Sequence, residues 1–252
     1  MNFIAAIFRR ELKSYFVSPL AYAAIAAYLI IMGVFFLLAL NTYQTLRIRA
    51  AQSLQRIPGV DILVTNLLSS DSTWPLILIV PLLTMRLLAE ERRQHTAELL
   101  LTAPITTRHI VWGKFLGAWF ILACMLLLSI WMPLTLWKLG DADPARIVSG
   151  CAGALLYGGL VLALGLLASS LTESPFLAAI LALVLTAASS FLTGLAGAVP
   201  VIGSTLTQFT PGANLATFAS GVIETQALIY FVSITIMFNE ITAGVIDSQR
   251  WR

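Results

Sequence analysis

The sequence predicts an all-α membrane protein: six transmembrane helices behind an amphipathic N-terminal helix, a charged loop on one face of the membrane, and short re-entrant or interfacial helices on the other. Three observations predict it. Of 252 residues, 59% are apolar and only 11% are charged, less than half the charged share of a soluble chain. The 15 Lys and Arg and 12 Asp and Glu are clustered, leaving uncharged windows at 14–46, 72–85, 115–137, 147–172, 174–223 and 225–239. Such windows suit lipid, because a hydrocarbon core about 30 Å thick takes roughly 20 residues of helix to cross.

This composition excludes a cytosolic enzyme, a nucleic-acid binder and a disulfide-stapled secreted domain. The net charge of +3 carries little weight, since the placement of Lys and Arg around spans matters more than their sum. Both cysteines, Cys124 and Cys151, fall inside apolar windows with no CxxC or Cys/His cluster, so they read as small buried hydrophobes.

Residues 1–18 form the first element. At 100° per residue, Ile4, Ile7, Phe8, Leu12, Tyr15 and Phe16 share one arc and Arg9, Arg10 and Lys13 the other, the pattern of a helix lying in the headgroup region. The uncharged window behind it is longer than a signal peptide's apolar core and has no convincing cleavage site, so the segment is expected to stay in the mature chain. Pro19 then turns the chain into the bilayer.

Six spans follow at about 20–40, 72–89, 115–137, 148–169, 176–197 and 226–246, making residues 1–252 a single transmembrane domain. Span two has a short uncharged stretch between Asp71 and Arg86, so it either borrows Leu87 to Ala89 or extends back past Asp71. An even number of spans puts both termini on one side. With that side cytoplasmic, ten Lys and Arg lie inside and five outside, which selects the N-in, C-in arrangement. Small residues in span one (Ala23, Ala27) and span four (Gly150, Ala154, Gly158, Gly159, Gly165) permit close helix contact, within the chain or at a dimer seam.

Two regions lie outside the spans. The outer loop from Asn41 to about Asp71 is polar and partly helical in composition, with Pro58-Gly59 as its break. Residues 199–225 carry Pro200, Gly203, Gln208, Pro211, Gly212 and Asn214. Irregular backbone cannot face lipid, because its amides would go unpaired. A re-entrant hairpin or a pair of interfacial helices is therefore expected there.

The cytoplasmic loop 86–114 reads as two short helices, one from about Leu87 to Leu101 and one starting near Thr106-Thr107, with a threonine as N-cap. Leu99, Leu100 and Leu101 then stand outside the membrane and need a surface, either the bundle and headgroups or a docked cytosolic protein.

Glu90-Glu91-Arg92-Arg93, then Thr96-Ala97-Glu98-Leu99-Leu100-Leu101-Thr102-Ala103-Pro104-Ile105, then Gly113-Lys114-Phe115 resemble the cytoplasmic loop of ABC type-2 permeases. Arg10-Glu11-Leu12-Lys13-Ser14-Tyr15-Phe16 with Ser18-Pro19 resembles their N-terminal elbow. Phe209-Thr210-Pro211-Gly212, Gly221-Val222-Ile223 and Arg250-Trp251 also fit, so the resemblance covers nearly the whole chain. Within that family the chain is most similar to the gliding-motility and nitrous-oxide-reductase maturation permeases. It departs at His95, commonly glycine, and at Asn239-Glu240, commonly apolar.

The resemblance implies a bacterial inner-membrane subunit without catalysis of its own. It implies a cytosolic ABC ATPase that carries ATP and Mg and grips Glu90, Glu91, Arg92, Arg93, His95, Glu98, Leu99, Leu100, Leu101 and Pro104. It also implies a second permease copy or a homologous one, with room for an extracytoplasmic accessory protein. The residues agree in one respect: no G-x-x-x-x-G-K-[ST] exists, and Gly113-Lys114 is followed by Phe115, so this chain cannot cradle a nucleotide's phosphates.

Three charged or polar features remain. Glu11 lies about 20° from Ile4 at the centre of the elbow's apolar arc, and a cation would explain it. Arg86, Arg92 and Arg93 are candidates, with Glu11 to Arg92 the expected elbow-to-loop ion pair. Glu240 lies roughly 10 Å from the inner end of span six, beside Asn239. It either reaches the headgroups, contacts a partner or couples to ions. His95 and His109 lie in the loop without metal-ligand spacing, and His95 suits the ATPase interface.

An intramembrane enzyme fails on inventory, since no His lies in a span and no GxSG motif exists. An ion-coupled carrier using Glu240 would show two related halves with broken helices, and no repeat is visible. A force-transmitting subunit that moves no solute is a further alternative.

Overall fold

In a computed structural model the structure describes residues 3–52, 59–93, 106–140, 142–198 and 209–249, and these residues are mostly helical with no strand among them. Helix α1, Phe3–Val17, buries Ile7, Glu11 and Tyr15, a stripe at intervals of four that lies along one helix face. Ser18 ends it, and the Ser18 Oγ accepts from the Leu20 amide at 3.3 Å. Pro19 then opens α2, where its missing N–H costs nothing.

Helix α2, Pro19–Gln52, is 34 residues long, about 51 Å. The predicted span ends near residue 40, yet the helix runs on. Nothing between Leu40 and Gln52 breaks it, and the Thr42 and Thr45 hydroxyls bond back to the Leu38 and Thr42 carbonyls. Its buried edge is Ala21, Ala24, Tyr28, Met32 and Phe36. Ala23 faces outward and Ala27 is half-buried.

Span two takes the second of its two expected forms. Helix α3, Asp61–Asn66, passes through a π-turn, Leu67–Asp71, into α4, Ser72–Thr84. Pro75 explains the wide turn: it has no amide for the Asp71 carbonyl, and its ring crowds that carbonyl. The Ser72 and Thr73 hydroxyls occupy the neighbouring carbonyls of Leu68 and Ser69. After a turn at 85–88 comes α5, Ala89–Arg93. The predicted loop helix to Leu101 lies beyond this point, outside the described residues.

Span three is α6, Thr107–Ser129, a break at Ile130, and α7, Trp131–Gly140. Pro133 deprives the Ser129 carbonyl of its helical partner, which places the break. Span four is α8, Pro144–Leu171, capped by Asp143 Oδ1 on the Ala145 amide at 2.9 Å. The segments expected as spans five and six are α9, Pro175–Ala198, and α11, Thr225–Gln249. Between them α10, Pro211–Ala219, buries Leu215 and Phe218 against α8. It occupies the region where interfacial helices are expected.

Five of these segments, Pro19–Gln52, Asp61–Arg93, Thr107–Lys138, Pro144–Leu171 and Thr225–Ser248, are long and apolar enough to cross a membrane, and Pro175–Phe191 is a shorter apolar stretch. Helix α8 is the centre of the bundle and is buried for most of its length. Its glycines let neighbours close in: a Cβ on Gly150 would meet Leu68, one on Gly158 would meet Leu122, and one on Gly165 would meet Thr84. The small residues of span four therefore serve packing within the chain.

Candidate functional site: a four-charge ring at the foot of the bundle

The elbow helix and span three meet through two glycines one turn apart. A Cβ on Gly113 would come within 2.7 Å of Ile7, and one on Gly117 within 2.9 Å of Glu11. With hydrogen alone at both positions, α1 lies directly on α6. Lys114 projects from the same contact, and its side chain is only 2% exposed.

The contact assembles a ring. Lys114 Nζ stands 3.0 Å from Glu11 Oε1 and 2.9 Å from Glu91 Oε1. Arg10 Nη2 stands 3.1 Å from Glu11 Oε1 and 2.7 Å from Glu91 Oε1. Among the described residues two cations and two anions alternate, so their charges balance. A lone ammonium this deeply buried would lose several kcal/mol of hydration, and only close, hydrogen-bonded counter-charges offset that loss. Burial works against the Arg10 charge, yet hydrogen bonds and fields from Glu11 and Glu91 outweigh it and hold its pKa above the ordinary guanidinium value. Three elements are joined: α1 through Arg10 and Glu11, α6 through Lys114, and α5 through Glu91.

Beside the ring, span two is broken and the break is pinned from two sides. The Met85 amide bonds the Pro81 carbonyl and the Leu87 amide bonds Thr84, so regular helix ends here. From the elbow, the Tyr15 hydroxyl donates to the Leu83 carbonyl at 3.2 Å. Burial pushes that phenol's pKa upward, with the Glu11 charge adding to it, so it stays a donor. From span four, Ser169 Oγ accepts from the Leu88 and Ala89 amides at 3.1 and 3.0 Å and donates to the Met85 carbonyl. The turn thus satisfies its buried backbone groups with side chains of other helices. A cavity of about 580 Å³ lies beside it, with Arg86, Ser14 and Tyr15 in its wall.

Glu11 has the cation its position demands, but Arg92 does not supply it. Arg92 follows Glu91 on α5 and points about 100° away, towards span four. There its Nη1 donates to the Ser170 carbonyl at 2.9 Å. Burial lowers its pKa and the nearby Glu173 works in the opposite sense. Arg93 pairs with Glu90 on its own turn. His95, Glu98, Leu99, Leu100, Leu101 and Pro104 lie outside the described residues. Thr106 sits at the N-cap of α6 as expected, but its hydroxyl bonds the His109 ring rather than a backbone amide.

Glu240 turns to the end of the bundle that carries α1. Its Oε2 is 2.8 Å from Arg108 Nε, and its Oε1 accepts from Trp112 Nε1 at 3.4 Å. Asn239 is buried and donates to the Thr235 carbonyl. Among the described residues no group of three or more His, Cys, Asp or Glu stands where it could hold a metal ion.

Lys114, Gly117 and Ser169 were not singled out from the sequence for these positions. For the first two a signal exists: Gly113-Lys114-Phe115-Leu116-Gly117 is a small-x-x-x-small pattern carrying a cation. For Ser169 there is none, since its partners are backbone amides 80 and 81 positions away in the chain.

No curated protein matches the chain. The family model for the ABC-2 family transporter protein matches residues 64–247, more than two-thirds of the chain. That stretch runs from the π-turned span two to the last turns of span six and carries the Glu91 and Lys114 of the ring, so this multi-pass helical membrane protein belongs to the ABC-2 transporter family.

Proposed function

We propose that the chain is the permease subunit of an ATP-driven exporter, with six spans, both termini in the cytosol and the charge ring at the cytoplasmic foot of the bundle. The membership of the family supports the permease role, and ten Lys and Arg against five support the orientation. In this reading a separate ATPase docks on residues 90–104, and ATP and Mg are bound there, not on this chain. A second permease, identical or homologous, completes the pathway.

The observation that carries the mechanism is Glu91, whose one oxygen faces both Arg10 and Lys114. When two ATPase domains close, they displace the loop that begins at α5. Displacement of α5 pulls on Lys114 and hence span three, on Arg10 and hence the elbow, and on span two through the turn at 85–88. The turn bends because regular helix is interrupted there; the pins from Tyr15 and Ser169 set its resting angle. Packed helices shift between discrete arrangements, so such a pull tilts spans two and three as units.

The test is co-expression with a candidate ATPase. A stoichiometric complex is expected, with ATP hydrolysis that rises on adding the permease and loses that rise in Glu91→Gln. A chain that purifies alone and transports down an ion gradient would overturn the reading in favour of a secondary carrier. A second reading, force transmission without solute, is favoured by one observation: α2 continues 12 residues past Leu40, a projection suited to an extracytoplasmic partner. Kinship with the gliding-motility and nitrous-oxide-reductase maturation branch rests on the motif resemblance alone.

A further inference from the structure

At the end of the bundle opposite the charge ring, a cleft of about 340 Å³ opens between α2 and the first half of span two. Phe35, Leu38, Tyr43 and Ile62 give it apolar and aromatic walls, and Asn66 and Asp71 give it a polar side. On α2 the lining residues fall on both sides of Leu40, about 20 residues from Pro19, so the cleft straddles the far boundary of the hydrocarbon core. Asp71 lines that same cleft from span two, facing the α2 residues on either side of Leu40.

Asp71 is the last residue of the π-turn, an irregularity that in helices concentrates at functional sites. Its carboxylate is half-buried and, among the described residues, neither a hydrogen bond nor an ion pair reaches it. The other carboxylate on this segment, Asp61, is differently placed: it accepts from the Asp143 amide at 3.1 Å and stands 3.9 Å from Arg146. An unpaired carboxylate at the edge of hydrocarbon is expensive unless a cation or water comes to it. Apolar walls select for a tail, the carboxylate for a positive head, and aromatic rings favour an ammonium over their faces.

We infer that this cleft binds the ammonium head of an amphiphile, with Asp71 as its counter-charge and the walls formed by α2 and α3 holding the first part of the apolar tail. A lipid bearing an amino headgroup and a free amphiphilic amine share this chemistry. The inference deepens the permease reading by naming a ligand class, and it rests on that reading only in taking the cleft to face the membrane. Its test does not involve an ATPase, so the two can fail separately.

The full chain is placed in phosphatidylglycerol nanodiscs and labelled with a photoreactive long-chain alkylamine, or with the alcohol of the same tail. The amine is expected to label the cleft residues about ten-fold more than the alcohol, in keeping with one charge-assisted bond. Asp71→Asn should bring the amine down to the alcohol's level, and Asp71→Glu should retain most of the preference. Phosphatidylethanolamine in the nanodisc distinguishes the sources: suppression of cleft labelling identifies a lipid amine as the occupant, and undiminished labelling a free amphiphilic amine. Equal labelling by amine and alcohol in the unaltered chain overturns the proposal whatever the variants do. So does undiminished preference in an Asp71→Asn protein that remains monodisperse.

Discussion

The ammonium of Lys114 stands 2.9 Å from the carboxylate of Glu91, so a helix of the bundle and the segment leading into the charged loop hold one charge pair between them. The first consequence concerns stability. In Lys114→Met the buried Glu11 loses its nearest deeply buried cation, and breaking such a pair costs about 3–5 kcal/mol. Thermal unfolding in detergent should show a large loss. Adding Glu11→Gln to Lys114→Met should recover part of it, because the stranded charge is then gone; a double variant no better than the single would count against the ring.

Glu91 is more exposed than Glu11 or Lys114, so its role should be visible in coupling rather than folding. Glu91→Gln keeps the shape and removes the charge that Arg10 and Lys114 share. With the ATPase reconstituted, permease-stimulated hydrolysis should fall about ten-fold, the equivalent of one charge-assisted bond, while melting temperature moves little. Full stimulation in a well-folded Glu91→Gln protein would contradict the transmission path.

Ser169→Ala strips the turn at 85–88 of its only side-chain acceptor for two buried amides among the described residues. Leaving such groups unpaired costs about 1–3 kcal/mol. Hydrogen exchange should accelerate locally at residues 85–93, with the middle of α8 still protected. Uniform acceleration across the bundle would mean that Ser169 supports the fold at large rather than the turn.

The Arg108–Glu240 pair should matter little to stability. Its side chains are 72% and 36% exposed, and water screens such pairs to about 0–1 kcal/mol. Glu240→Gln should melt within a few degrees of the unaltered protein and leave ATP-driven transport intact. Loss of transport with a shifted pH dependence would instead revive ion coupling at this residue.

Five membrane-length helices were legible because lipid leaves a coarse mark: long windows without Asp, Glu, Lys or Arg. One helix end was legible where chemistry is local, at Ser18-Pro19, whereas the Asp143 cap starts span four about four residues before its expected beginning. Two boundaries were not. Helix α2 outruns its apolar stretch because polar composition marks the edge of a membrane, not the end of a helix. Span two begins at Asp61 because Pro75 widens a turn instead of stopping the chain, and a sequence does not say which a proline will do.

The ring was half legible. Glu11, a carboxylate on an apolar helix face, requires a cation by its position alone. Which cation depends on the close approach of α1 to α6, set by Gly113 and Gly117 across more than 100 residues of chain. In the sequence Lys114 stands out only within Gly113-Lys114-Phe115; that contact is what places it against Glu11.

Helix α2 is long and apolar enough to cross a bilayer and runs on past its apolar stretch as one uninterrupted rod, with no proline or glycine beyond Gly33 to soften it. A small change of inclination at Pro19, next to the elbow, is therefore magnified at Gln52, as at the tip of a lever. Any neighbour resting on that tip would feel a stroke larger than the rearrangement that produced it.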